Sequence, residues 1–330
     1  MHIFRQVIAG AVSAAACCFA LAAGAEGPSA KAAVAGSVDM ARLLHADREP
    51  GSWLANGRDW RGSYYSPLAK IDASNVSGLG FAWDYDLGQP QRGQEATPIV
   101  VDGTMYTSGT WGIVYAVDAA TGRERWRYDP QSEGFYARNP CCDLVNRGVA
   151  VWKGRVYVAA VDGRLHAIDA ATGRKVWDVD TIVDHSQPYS STGAPQVAGK
   201  VIVIGNGGGD MVAGGVRGYV SAYDLETGAL KWRFYTVPPA PGQPLEHPEL
   251  AAAAQSWDPQ RDAKFRGGAT VWDGTAYDPK LDLVYFGTGN PAPYDLRQVG
   301  PRQGDALYAD CIIALHAATG RMAWYYQTTP

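Results

Sequence analysis

After its first 25 residues the chain is written in short runs in which apolar and polar side chains alternate. Gly112-Ile-Val-Tyr-Ala-Val-Asp118 is one, and Gly154-Arg-Val-Tyr-Val-Ala-Ala-Val161 is another. Leu165-His-Ala-Ile168 follows directly after Asp162-Gly163. A period of two sends successive side chains to opposite faces of a pleated strand, so each run predicts a β-strand and each Gly-containing junction a tight turn. Apolar residues spaced three and four apart are hard to find anywhere in this stretch, and no helix is predicted there.

The strands are punctuated by a recurring phrase, Asp-x-x-Thr-Gly-x-x-x-Trp. It reads Asp118 to Trp126, Asp169 to Trp177 and Asp224 to Trp232, and a fourth copy from His316 to Trp324 lacks the Asp. The Trp residues are 51, 55 and 92 apart, and the last interval reads as two units of 46. Thr-Gly closes a turn and the next strand carries the Trp. A repeat of roughly 40–50 residues with turn residues and aromatics at fixed offsets predicts an all-β fold, a β-propeller with tryptophan-motif blades.

The ends and the composition narrow the setting. Arg5, an Ala-rich apolar stretch from Val7 to Ala23 and the small ending Ala23-Gly24-Ala25 predict a secretory signal peptide over 1–25 rather than a membrane anchor. Cys17 and Cys18 lack the upstream Leu of a lipidation signal. A lead-in over 26–45 and a partial propeller over 46–330 follow, and 39 Gly and 20 Pro suit many short strands and turns. A net charge of −4 without a basic block argues against nucleic acid as a partner. The glycine runs Gly205-Asn-Gly-Gly-Gly209 and Gly287-Thr-Gly-Asn290 have no helix after them, which argues against a nicotinamide site. No Cys-x-x-Cys-His occurs, so no c-type haem attaches within these residues.

Three cysteines remain after the leader, Cys141, Cys142 and Cys311. Adjacent Cα atoms are about 3.8 Å apart, below the usual disulfide span of about 4.4–6.8 Å. A Cys141–Cys142 bridge is therefore strained, and two free thiols or bridges to other partners stand beside it as readings.

The surroundings resolve that choice by resemblance. Cys-Cys-Asp-x-Val-Asn-Arg-Gly at 141–148 on a Trp-motif propeller resembles the pyrroloquinoline-quinone-dependent alcohol dehydrogenases, including their quinohaemoprotein branch. The likeness begins at Asn56-Gly-Arg-Asp-Trp60 and Tyr65-Ser-Pro-Leu68 and passes Gln94-Glu95-Ala-Thr-Pro98. It continues through Thr192-Gly-Ala-Pro195 and Val216-Arg-Gly-Tyr219 to Tyr285-Phe-Gly-Thr-Gly-Asn-Pro291. It implies an eight-bladed ring, of which about five to six blades fit in this length. It also implies an exported, periplasmic enzyme that oxidises an alcohol to an aldehyde or ketone and passes electrons to cytochrome c or another acceptor.

The same resemblance assigns the site. Cys141 and Cys142 would form a disulfide ring over one face of the quinone, and Trp272, 18 residues before Asn290, would stack on the other. Arg147 supplies a fork of donors to adjacent oxygens. Glu95, Thr192, Thr270 and the glycines Gly207, Gly208 and Gly209 complete the cofactor contacts. A hard cation, calcium or a lanthanide, would take Asn290 and an acid. The acid departs from the family pattern: Asp210 stands where Glu is usual, 18 residues after Thr192, and three extra residues separate it from Val216.

The family's general base is an Asp a few residues beyond a Gln-x-Thr-Pro segment, and here Gln327-Thr-Thr-Pro330 is that segment. The expectation is therefore an N-terminal portion without the base, inactive as it stands; a cytochrome domain would need further sequence. Asp143, Asp295 and Asp305 do not occupy the family's position. Two other readings compete: a non-catalytic propeller scaffold of the outer-membrane assembly kind, and a short six-bladed ring around an unrelated ligand. The scaffold reading gives no reason to keep Cys141, Cys142, Arg147, Trp272 and Asn290 together.

Overall fold

A computed structural model describes residues 34–88, 93–209, 215–258, 266–292 and 304–330. The proposed signal peptide, part of the lead-in, and Asp210 and Asp295 lie outside the described residues.

Four four-stranded antiparallel sheets follow one another along the chain. The first holds β1 (Ile99–Val101), β2 (Thr104–Ser108), β3 (Val114–Asp118) and β4 (Glu124–Tyr128). The second holds β5 (Ala150–Trp152), β6 (Arg155–Ala159), β7 (Arg164–Asp169) and β8 (Lys175–Asp180). A short strand β9 (Tyr189–Ser190) precedes the third, made of β10 (Gln196–Ala198), β11 (Val201–Gly205), β13 (Tyr219–Asp224) and β14 (Leu230–Tyr235). Between β11 and β13 the chain leaves the sheet so that β12 (Gly207–Gly208) pairs with β9. The fourth repeats this plan, with β15 (Gly267–Gly268) paired to β18 (Pro291–Ala292) above a sheet of β16 (Ala276–Asp278), β17 (Leu283–Gly287), β19 (Cys311–His316) and β20 (Met322–Gln327).

The runs at 112–118, 154–161 and 165–168 give β3, β6 and part of β7, as their alternation predicts. The 92-residue interval differs. It holds one sheet among the described residues, not two, because β14 and β16 are joined by a long connection with its own small core around Val237 and Trp257. The described residues thus form four blades, fewer than the length suggests. Two helices also appear, α1 (Met40–Leu44), whose first turn is capped by Asp39, and α2 (Leu250–Ser256) in that connection. Each is too short for a 3.6-residue period to show in the sequence.

The repeated phrase is the joint between blades. Asp118 Oδ1 accepts from the amide and hydroxyl of Thr121 at 3.0 and 2.9 Å, and Asp169 and Asp224 do the same for Thr172 and Thr227. At the fourth turn the backbone bond from Gly320 to His316 O persists at 2.8 Å without the carboxylate. The turn glycine has φ near +70° and lies against the Trp of the preceding blade: a Cβ on Gly173 would come 2.8 Å from Trp126, and one on Gly320 2.5 Å from Trp232. Glycine is required there both for the left-handed backbone and for the ring. The indole N–H then donates to the carbonyl that follows the strand, Trp126 to Ala170 O at 3.0 Å and Trp232 to Ala317 O at 2.8 Å.

The same joint is made by a Trp outside the repeat. Trp83 lies under Gly122, where a Cβ would come 2.7 Å from its ring, and Tyr85 packs edge-on against Tyr115. Trp83 thus seals the first blade although residues 81–87 pair with no strand among the described residues. At the other end Trp324 is 43% exposed.

Candidate functional site

The site is built where the loop after β4 meets the two small ribbons. Asn146 anchors the loop, accepting from Ser108 Oγ at 2.6 Å and donating to Ala159 O at 2.7 Å, so it ties the first two blades together. Gly148, with φ +132°, lets the chain turn into β5. Between them Arg147 is held from several directions. Its amide donates to Thr192 O at 3.0 Å and its Nη1 to Thr192 Oγ1 at 2.7 Å. Its Nη2 lies 3.0 Å from Glu95 Oε2 and its Nε 3.6 Å from Asp273 Oδ2, while the guanidinium stands 5.0 Å from the centre of the Trp272 ring. Charge-assisted bonds to Thr192 and Glu95 and a longer ion pair with Asp273 leave the guanidinium little rotational freedom.

On one side of Arg147 is a cavity of about 420 Å³. It is lined by eight of the residues singled out in the sequence: Cys141, Cys142, Arg147, Thr192, Gly207, Gly208, Trp272 and Asn290. Cys141 and Cys142 are joined across their shared peptide bond, and Cys311 is free and buried in β19, with burial pushing its thiol up to about 12. Trp272 is 49% exposed, and its backbone is pressed against Gly193, where a Cβ would come 2.8 Å from Trp272 O. Asn290 donates through Nδ2 to Pro291 O at 3.0 Å, and its Oδ1 is an acceptor.

Three predicted contacts are placed elsewhere. Glu95 lies on the far side of Arg147, in the wall of a second cavity of about 530 Å³ that also holds Asp273, Trp60 and Tyr277. Thr270 is buried, its carbonyl accepting from Gly289, and Gly209 packs on Val216. Asp210 falls outside the described residues. Sequence reasoning missed Asp273, Ser190 and Asp143 as site residues. Asp273 directly follows Trp272 and Asp143 directly follows the cysteine pair, so adjacency was a signal for both; Ser190 has none short of the strand pairing.

Comparison with known proteins agrees with this geometry. Residues 53–330 match the model of the PQQ family described as glucose/ethanol/alcohol dehydrogenase, beta-propeller domain. The chain is 51% identical over 303 residues to the quinohemoprotein alcohol dehydrogenase ADH-IIG of Pseudomonas putida, covering 92% of this chain and 42% of that protein. The crystal structure of quinohemoprotein alcohol dehydrogenase from Comamonas testosteroni superposes with a TM-score of 0.85 at 46% identity, over 91% of this chain and 44% of that one. A europium-containing methanol dehydrogenase superposes with a TM-score of 0.76 at 34% identity, over 88% of this chain and 51% of that one. The chain spans roughly two-fifths of the length of the curated relatives it matches.

Proposed function

The chain belongs to the glucose/ethanol/alcohol dehydrogenase β-propeller family, and from that premise we propose that it carries the quinone-binding part of a pyrroloquinoline-quinone-dependent alcohol dehydrogenase. The observation that carries this reading is the convergence of Cys141, Cys142, Arg147, Thr192, Trp272 and Asn290, from the loop after β4 and the approaches to the third and fourth blades, on one cavity.

The residues present fit such a group. The cavity volume suits a small flat ligand. Gly207 keeps it open, since a Cβ there would come 3.3 Å from Trp272 Cβ. A buried hydroxyl in the wall, that of Ser190, has no partner among the described residues. When bound, the quinone would accept a hydride, and with it both electrons, from an alcohol. The protein's part is to hold and polarise. The indole of Trp272 and the ring of Cys141 and Cys142 offer apolar surfaces for stacking. Arg147, locked by Thr192 and Glu95, presents donors in a fixed direction to anionic oxygens. Asn290 Oδ1, with Asp210, would supply hard oxygens of the kind a calcium ion takes, and a lanthanide would suit the same donors.

We place the general base on further blades. Asp143 Oδ1 accepts the Leu144 amide at 2.8 Å, and the exposed Trp324 and the unpaired segment at 81–87 are edges of the kind that a neighbouring blade covers. In this reading the whole protein is exported to the periplasm, oxidises an alcohol and hands electrons to cytochrome c, with any haem on a separate domain.

The test is equilibrium binding. Purified chain titrated with pyrroloquinoline quinone in calcium buffer should show saturable quenching of Trp fluorescence, weakened at least tenfold in Arg147→Met, with no alcohol-dependent dye reduction. Absence of saturable binding removes the reading, and steady turnover places the base within these residues.

A further inference from the structure

Of the hydroxyls on the approach to the third blade, only one is left unused by the protein among the described residues. Ser191 donates to Gly205 O at 3.3 Å, Thr192 Oγ1 accepts from Arg147 at 2.7 Å, and Thr181 donates to Gly163 O at 2.6 Å. Ser190 is 1% exposed, and its Oγ has no hydrogen-bond partner among the described residues. A buried polar group left unmatched is uncommon and destabilising, so each instance calls for a cause.

The location supplies one. Ser190 sits on β9 opposite Gly207 of β12 and lines the 420 Å³ cavity. Its strand neighbour Tyr189 turns the other way, its ring against Tyr219 and its hydroxyl on Arg217 O at 2.9 Å, as alternation along a strand requires. Across the ribbon Gly207 has no side chain; a Cβ there would lie 3.9 Å from Ser190 Oγ. Two residues on, Thr192 lines the same cavity and holds Arg147. Ser190, Thr192 and Arg147 are therefore three polar side chains on one cavity, two of them engaged and one vacant.

We propose that Ser190 is a further binding residue of this cavity, donating its hydroxyl to a carboxylate or carbonyl oxygen of a flat anionic quinone; the proposal rests on the quinone-site reading above. The ligand would supply the acceptor that the described residues do not.

Two substitutions and two measurements test this. In Ser190→Ala the quinone, titrated as pyrroloquinoline quinone with calcium, should bind about tenfold more weakly, the loss expected for one hydrogen bond to a charged acceptor. The empty protein should melt at the same temperature or roughly 1–3 °C higher, since an unmatched polar group has been removed. Ser191→Ala is the contrast: its hydroxyl is matched within the protein, so melting should fall while affinity stays within twofold. Affinity within twofold of the parent in Ser190→Ala overturns the inference, and lowered melting alongside it would assign the hydroxyl to a structural water. If the parent chain itself binds no quinone, its melting point is the same with and without the ligand. That outcome overturns the cavity reading and this inference together, and is distinct from a parent that binds and a variant that binds equally.

Discussion

Trp232 and Trp272 are the same residue in two settings. Trp232 is 8% exposed, pressed on Gly320, with its N–H spent on Ala317 O at 2.8 Å. Trp272 leaves 49% of its surface open, faces a cavity and has Arg147 beside its ring. The first ring is finished by the protein alone, whereas the second is held at its backbone and left open at its face. Buried aromatic packing is thus concentrated in the seams between blades, and open ring surface at the cavity beside the ribbons.

The comparison breaks if the two rings behave alike on removal. Trp232→Ala should lower unfolding free energy by about 3–5 kcal/mol, the usual loss for a buried aromatic, with a reduced denaturant midpoint. Trp272→Ala should change stability by less than about 1 kcal/mol and weaken quinone binding instead. Equal destabilisation by both would mean that Trp272 is a packing residue.

A second seam gives the comparison a pH dependence. Between the first two blades His166 Nδ1 pairs with Tyr128 Oη at 2.9 Å, and burial pushes the imidazole down to about 4. Asp178 opposes that fall, while Arg164 and Lys175 add to it. Below the ordinary histidine value of 6.5 the unfolded chain takes up a proton that the folded chain does not. Stability should therefore be full above that value and erode between pH 6.5 and 4, by roughly 2–3 kcal/mol, with no further loss from this group below pH 4. His166→Gln should flatten the slope of urea stability in that window; an unchanged slope would remove His166 as the cause.

Smaller effects sharpen the contrast between glycines. Gly173→Ala, at φ +72° and against Trp126, should cost about 1–3 kcal/mol. Gly207→Ala, whose Cβ meets Trp272 Cβ at 3.3 Å and Ser190 Oγ at 3.9 Å, should cost less than about 1 kcal/mol and narrow the cavity. The cysteines need no mutation. Peptide mapping of non-reduced protein should recover Cys141 linked to Cys142 and a thiol at Cys311 that labels only on unfolding; a peptide joining Cys311 to either of the pair would contradict the site as described.

The seams were legible because their chemistry is local. Asp118, Thr121 and Gly122 interact within one turn, and Trp126 follows at a fixed distance, so the sequence displays the joint. Trp83 makes the same joint but has no Thr-Gly turn just before it, and so a search keyed on that turn passes over it. The long interval before Trp324 misled for the complementary reason: the connection holding α2 and Trp257 occupies the length of a blade without forming one. At the cavity, adjacency exposed the cysteine pair and Arg147. The position of Glu95 behind Arg147, the reach of Asp273 and the vacancy at Ser190 depend on which strands lie beside which, and no single stretch of sequence records that.

The joint also imposes a timetable. A Trp can be sealed only after the turn glycine of the following blade has been synthesised, which is 39 residues later for Trp83 but 88 for Trp232. At about 5–20 residues per second the second wait is roughly 4–18 s. During that interval Trp232 has no turn to close on and the apolar cluster shared by the third and fourth blades is half made. This is the longest wait among the described seams, so the nascent chain should be more open to misassociation while residues 233–320 emerge than while the earlier seams close, and a holding chaperone should help more there than at those seams.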